Sequence, residues 1–251
     1  MERSWIEMPA ERERMAVSLE ENIRAVKERI AVAAREAGRD PAGITLVAAT
    51  KTQTDETIRA AIAAGITVCG ENRVQEMTAH LEANAYDGAG LHFIGHLQRN
   101  KVRQVVGRVD LIESVDSLRL LEAIEAEAAR LDLRQDILIE VNIGREESKS
   151  GVLPEEVKAL CRKTLECPHV RLRGLMAVPP ALPEGGSQKI FREIKQLFVD
   201  IKREMDDNNS GITCLSMGMS GDYPDAVREG ATLVRVGTAL FGPRVRTERT
   251  E

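Results

Sequence analysis

Ile44-Thr45-Leu46-Val47-Ala48-Ala49-Thr50-Lys51 is a short apolar run rich in β-formers, followed by a helical pattern over Thr54–Ala64 and a second apolar run, Thr67–Glu71. Strand, helix and strand in that order form a βα repeat whose strands pair in parallel. The same alternation continues to the end of the chain. Further strands are expected at Leu91–Gly95, Leu111–Val115, Ile137–Ile143, Arg171–Val178, Thr213–Met217 and Leu233–Val236, making eight. Helices are expected between them at Arg73–Ala83, Lys101–Val106, Ser117–Leu131, Pro154–Glu166, Gln188–Met205 and Asp225–Glu229.

Start and stop signals support these boundaries. Asp55, Ser117 and Asp222 can cap helix N-termini, Pro154 and Pro224 suit first turns, and Gly65 follows a helix. A further helix over about Glu13–Ala37 carries Leu19, Ile23, Val26 and Ile30 at helical spacing and stops at Gly38. Eight βα repeats without a linker favour an α/β fold of the (β/α)8 TIM-barrel type over an open doubly wound sheet, and 251 residues suit one such barrel. The expected organisation is a single barrel domain over residues 13–244, with flexible ends at 1–12 and 245–251.

Composition narrows the function. The net charge of -5 gives no electrostatic reason to bind nucleic acid or an anionic membrane. The segment Gln98-Arg99-Asn100-Lys101-Val102-Arg103 is locally basic, but aromatics make up only 3% of the chain and none interleave it, so it reads as a solvated helix start. No apolar run is long enough to span a bilayer, and Met1–Arg14 lacks the apolar centre of a signal peptide. Cys69, Cys161, Cys167 and Cys214 show no metal-binding spacing and read as reduced thiols, so the expected location is cytoplasmic.

In barrels of this kind the working groups stand at the C-terminal ends of the strands. Those ends supply Lys51, Glu71-Asn72, His96, Ser114, Asn142, Ser216, Arg235 and Thr238. The last third is especially informative. Leu215-Ser216-Met217-Gly218-Met219-Ser220-Gly221-Asp222-Tyr223-Pro224 and Leu233-Val234-Arg235-Val236-Gly237-Thr238-Ala239 each open from an apolar strand into small residues, leaving N–H groups and hydroxyls where a phosphate can approach. Lys51 shares a face with Val47 and Ala49; a desolvated lysine keeps a neutral amine able to form an imine. A phosphate cradle and a strand-end lysine together point to a phosphorylated aldehyde cofactor. His92 and His96 are four residues apart and could share a face, but no carboxylate or cysteine nearby completes a metal site, so the expected role is packing or support behind the residues that contact a ligand. His80 and His169 read as surface residues.

These blocks, with Gly70–Glu76, His92–Lys101, Val141-Asn142-Ile143 followed by Glu146, Lys149 and Gly151, and Gly174–Ala177, resemble the pyridoxal phosphate homeostasis proteins, also called proline synthase co-transcribed proteins, over roughly Leu19–Gly242. The resemblance implies a fold-type III barrel like the alanine racemase N-terminal domain, with pyridoxal 5′-phosphate on Lys51. It further implies phosphate contacts from Ser216, Gly237 and Thr238, Arg235 facing the pyridine nitrogen, and Asn72, His96 and Met217 in the pocket wall. Arg73 stands where the family often has tyrosine, and Thr54 where it often has proline.

Alanine racemase draws a second base, a tyrosine, from a separate domain, whereas this sequence ends soon after the eighth strand and carries only Tyr86 and Tyr223. The resulting expectation is a carrier that holds pyridoxal phosphate as a lysine imine and buffers or delivers it, with apo forms of dependent enzymes as partners and a monomer or weak homodimer as its assembly. Two rivals remain: an amino-acid racemase working with one base, and a Schiff-base aldolase acting on a sugar phosphate.

Overall fold

The eight strands close into one parallel barrel in sequence order, β1 pairing with β2 and so on round to β8 pairing with β1. The strands are β1 Thr45–Ala49, β2 Val68–Glu71, β3 Gly90–Phe93, β4 Leu111–Val115, β5 Gln135–Val141, β6 Val170–Ala177, β7 Cys214–Ser216 and β8 Leu233–Val236. This computed structural model describes residues 8–146, 149–180, 186–205 and 211–243, with side chains from residue 18 onward. Residues 1–7 and 244–251, which hold most of the expected flexible ends, lie outside the described residues.

Helices α1 Met8–Glu36, α2 Asp55–Ala63, α3 Val74–Glu82, α4 Leu118–Arg130, α5 Pro154–Leu165, α6 Ser187–Met205, α7 Tyr223–Arg228 and α8 Thr238–Phe241 surround the sheet. The link after β3 differs from the expected α-helix: Arg99–Gln104 is a 3₁₀ helix. Its apolar stripe is short, with Val102 as its only buried residue, so little packing favours a longer element. Helix α2 is capped by Thr54, whose hydroxyl accepts from Thr57 N–H, rather than by Asp55, which stands in the first turn. Ser117 caps α4 as its sequence position predicts. Asp222 precedes α7 but turns its carboxylate to Met219 N–H, at 2.7 Å. Helix α1 begins at Met8, ahead of the expected Glu13.

Alternation along each strand divides the apolar residues into two layers. Val47, Ala49, Ile94, Leu111, Leu138, Met176 and Leu233 pack inside the barrel. Ala48, Cys69, Phe93, Ile112 and Val234 face the helices, where the larger part of the core is built. Val47 pairs with Arg235 across the β1–β8 seam, so Arg235 takes the inward direction. No helix among the described residues is long and apolar enough to cross a membrane.

Candidate functional site

A cavity of about 380 Å³ opens at the C-terminal mouth of the barrel. Lys51 reaches it from the turn after β1, Asn72 from the end of β2, and Arg235 from inside β8. The opposite rim is formed by two loops: Met219, Ser220 and Gly221 after β7, and Gly237 and Thr238 at the start of α8. The structure thus brings Lys51, Asn72, Arg235, Gly237 and Thr238 together around one cavity. Beside Lys51, Thr52 adopts φ 65° and gives its N–H to Glu76 Oε2 at 3.0 Å. A β-branched residue pays conformational energy for that left-handed turn, and such strain gathers where a fold must present a group in one direction.

The two loops form a donor cradle. Gly237 N–H and Ala239 N–H both donate to Ser220 Oγ, each at 3.2 Å, so two backbone donors converge on one oxygen at the cavity rim. Gly218 makes the approach possible. It has φ 92°, and a Cβ there would fall 2.5 Å from Ala226 Cβ, so only glycine lets the loop pack onto α7. Arg235 N–H then holds the loop through Gly218 O at 3.0 Å.

Three sequence-derived positions are relocated. Ser216 does not line the cavity. It is the last residue of β7 and points inward below the floor, where its hydroxyl donates to Glu113 Oε2 at 2.6 Å and accepts from Arg235 Nη1. Ser220, four residues further on, reaches the rim instead, because the chain climbs there only after the strand ends. Met217 is fully buried in the layer between barrel and helices. His96 is 58% exposed, pairs with Asp116 Oδ2 at 3.2 Å, and lines a neighbouring groove with Arg73 and Lys101 rather than the cavity. It also parts from His92, which points inward to Glu113. Strand β3 ends at Phe93, and the chain then crosses so close to Asn72 that a Cβ on Gly95 would lie 2.2 Å from Asn72 O, which breaks the alternation.

The other strand-end candidates have structural tasks. Asn142 Nδ2 donates to Glu146 O at 2.8 Å and folds the loop after β5. Glu71 is buried, accepting from the Thr50 hydroxyl and the Tyr86 hydroxyl. Ser114 is buried away from the cavity. His80 is not a surface residue: its ring lies 2.5 Å from Asp55 Oδ1 and stands edge-on to Tyr86. His169 is half-buried against Glu125. The four cysteines are unbonded, and burial pushes the Cys69 and Cys161 thiols up to about 12.

Beneath the floor lies a group that the strand-end reading missed. Glu113, in the middle of β4, is fully buried and accepts from His92 as well as Ser216, with Arg235 Nη1 3.7 Å away. Burial acts to raise its pKa, but bonds from His92 and Ser216 and the charges of His92 and Arg235 hold it below the ordinary carboxylate value. Burial draws the Arg235 guanidinium downward, opposed by Glu113, Glu140 and Asp222. An acidic residue in the middle of the apolar strand Leu111–Val115 was the available sign, since a buried charge must be paired.

A closed parallel barrel with a lysine after β1 and a donor cradle after β7 and β8 defines the class of the alanine racemase N-terminal domain, whose family matches residues 18–245. Within that class, the chain belongs to the pyridoxal phosphate homeostasis protein family. A protein of that name from Aquifex aeolicus is 45% identical over 226 residues, covering 89% of this chain and 97% of the relative. The structure of PipY from Synechococcus elongatus, described as having PLP bound, superposes with a TM-score of 0.74 at 34% identity, covering 86% of this chain and 100% of that one. Alanine racemase from Streptomyces coelicolor shares the fold alone, at 20% identity and a TM-score of 0.72, over 91% of this chain and 59% of that one.

Proposed function

We propose that this protein binds pyridoxal 5′-phosphate on Lys51 and holds it for buffering or for delivery to apo forms of enzymes that need it. The observation that carries this reading is the convergence of Lys51, Arg235 and the Ser220–Gly237–Thr238 rim on one cavity of about 380 Å³. The name of the Aquifex relative and the cofactor reported in PipY support it.

The residues present fit the group. Asn72 Oδ1 is a buried acceptor with no partner, suited to a donor on a ligand. The N–H groups of Gly237 and Ala239 already meet on a single oxygen, the arrangement a phosphate oxygen requires. In this reading Ser220, Gly237 and Thr238 hold the phosphate, Asn72 borders the ring, and Lys51 provides the amine. When bound, the cofactor supplies an aldehyde that condenses reversibly with that amine, which suits storage and release.

Arg235 supports the carrier reading over the racemase. A guanidinium only donates, so beside a pyridine nitrogen it favours the unprotonated ring and weakens the ring as an electron sink. Neither tyrosine lines the cavity: Tyr86 is tied to Glu71 in the outer layer, and Tyr223 is buried at the start of α7. Among the described residues that line the cavity, Lys51 and Arg235 are the only ionisable side chains, so none offers a second base. We place the protein in the cytoplasm, as a monomer or weak homodimer. Recording the absorption of purified protein titrated with pyridoxal phosphate, then mixing it with a dependent apoenzyme, tests the proposal. A yellow lysine-bound band that declines as the apoenzyme gains activity is the expected result. No such band would rule out cofactor binding on lysine, and a band that persists without reactivation would rule out delivery. The aldolase alternative predicts no yellow band.

A further inference from the structure

Four side chains, one each from β3, β4, β7 and β8, form a single hydrogen-bonded chain beneath the cavity floor. His92 Nδ1 lies 2.7 Å from Glu113 Oε1, the Ser216 hydroxyl lies 2.6 Å from Glu113 Oε2, and Arg235 Nη1 donates to the Ser216 oxygen. All are buried: Glu113 and Ser216 fully, Arg235 and His92 nearly so. Of the four, only Arg235 also lines the cavity.

The direction of these bonds follows from the chemistry of the groups. A carboxylate only accepts, so His92 carries its proton on Nδ1 and Ser216 turns its hydrogen toward Glu113. The serine oxygen is then left with lone pairs alone for the guanidinium. Were Glu113 protonated toward Ser216, the serine hydrogen would have no acceptor; with Glu113 ionised, none of the four side chains is left with an unpartnered buried polar atom. A second tether, Arg235 Nη2 to Ala177 O at 3.0 Å, fixes the guanidinium plane from β6. Two tethers on different nitrogens leave the remaining N–H groups of Arg235 one orientation relative to the cavity.

We infer that Glu113, acting through Ser216, is the positioning residue that aims Arg235 at the cofactor's ring nitrogen and so makes the site select a ligand with an unprotonated aromatic nitrogen there. The inference rests on the reading of Arg235 given above and extends it to two residues that touch no ligand. His92 completes the chain by occupying the other carboxylate oxygen.

The test compares dissociation constants for pyridoxal phosphate and for its 1-deaza analogue, which keeps the aldehyde, hydroxyl and phosphate but has carbon in place of the ring nitrogen. A site built to hydrogen-bond an atom rejects the analogue lacking it, so the unaltered protein should prefer pyridoxal phosphate by about tenfold or more. In Glu113→Gln the preference should shrink to within about threefold, mainly through loss of affinity for pyridoxal phosphate. A merely structural loss would lower both affinities together and leave their ratio unchanged, and that result would overturn the inference. Ser216→Ala, which removes the bridge but keeps the carboxylate, should narrow the ratio in the same way and decides the matter should Glu113→Gln fail to fold. Equal binding of both ligands by the unaltered protein would instead overturn the placement of Arg235 at the ring nitrogen, and this inference with it.

Discussion

The Thr50 hydroxyl donates to Glu71 Oε1 at 2.5 Å, linking the residue before Lys51 to the end of β2 on the helix side of the barrel wall. Tyr86 donates to the same oxygen at 2.9 Å, while Oε2 has no partner. Burial raises the Glu71 pKa, opposed by those two bonds. A carboxyl whose folded pKa is raised binds its proton more tightly when folded, so its contribution to stability is full below the unfolded value of 4.5 and is lost as pH rises through the folded value. Urea midpoints for the unaltered protein should therefore decline from pH 4.5 upward relative to Glu71→Gln, which cannot titrate. Parallel curves would show that Glu71 does not titrate in this range.

Lys51 is expected to carry the cofactor. Borohydride reduction of the loaded protein, followed by peptide mass spectrometry, should place pyridoxyl phosphate on Lys51, and Lys51→Ala should lose the adduct. Chief labelling of another lysine, such as Lys149, would reassign the attachment.

Ser220→Ala should weaken binding of pyridoxal phosphate by roughly tenfold or more, because a hydrogen bond to a charged group contributes about 1.5–3 kcal/mol. Binding of pyridoxal, which has no phosphate, should hardly change. Equal losses for the two ligands would remove Ser220 from the phosphate site.

Much of this site is legible in the chain because the barrel converts sequence order into space: the residue after each apolar run stands at the mouth. Lys51, Asn72 and Thr238 reach the cavity this way, and the eight strands follow from the same alternation. The rule fails where a strand is shorter than its apolar run suggests. Strand β7 stops at Ser216, so the serine at the strand end points into the barrel and the serine four residues later reaches the rim. It fails again at His96, where the close crossing at Gly95 turns the chain outward. Glu113 escapes it because the residue lies within a strand, and its partners come from β3, β7 and β8, which no local pattern connects.

Gly218→Ala should cost about 1–3 kcal/mol, from a positive φ and a contact that must shift, and lower Tm by several degrees. Because Arg235 N–H bonds Gly218 O, the same variant should also weaken cofactor binding. Unchanged Tm and affinity would mean that the loop can repack without its glycine.

The purified, loaded protein is expected not to turn over amino acids at a useful rate. Racemisation removes the α-proton from one face and returns a proton to the other, which calls for two placed bases and an electron sink. Lys51 is one base. In the proposed reading Arg235 weakens the sink, and the hydroxyls of Tyr86 and Tyr223 are buried away from the cavity lining. Solvent-deuterium incorporation at Cα, followed for a panel of L- and D-amino acids with Lys51→Ala as control, measures this directly. Exchange should stay far below about 1 s⁻¹, the low end of ordinary enzymes. Exchange with inversion at or above that rate, absent from Lys51→Ala, would establish a racemase working with one lysine and a second base supplied from outside the cavity wall described here.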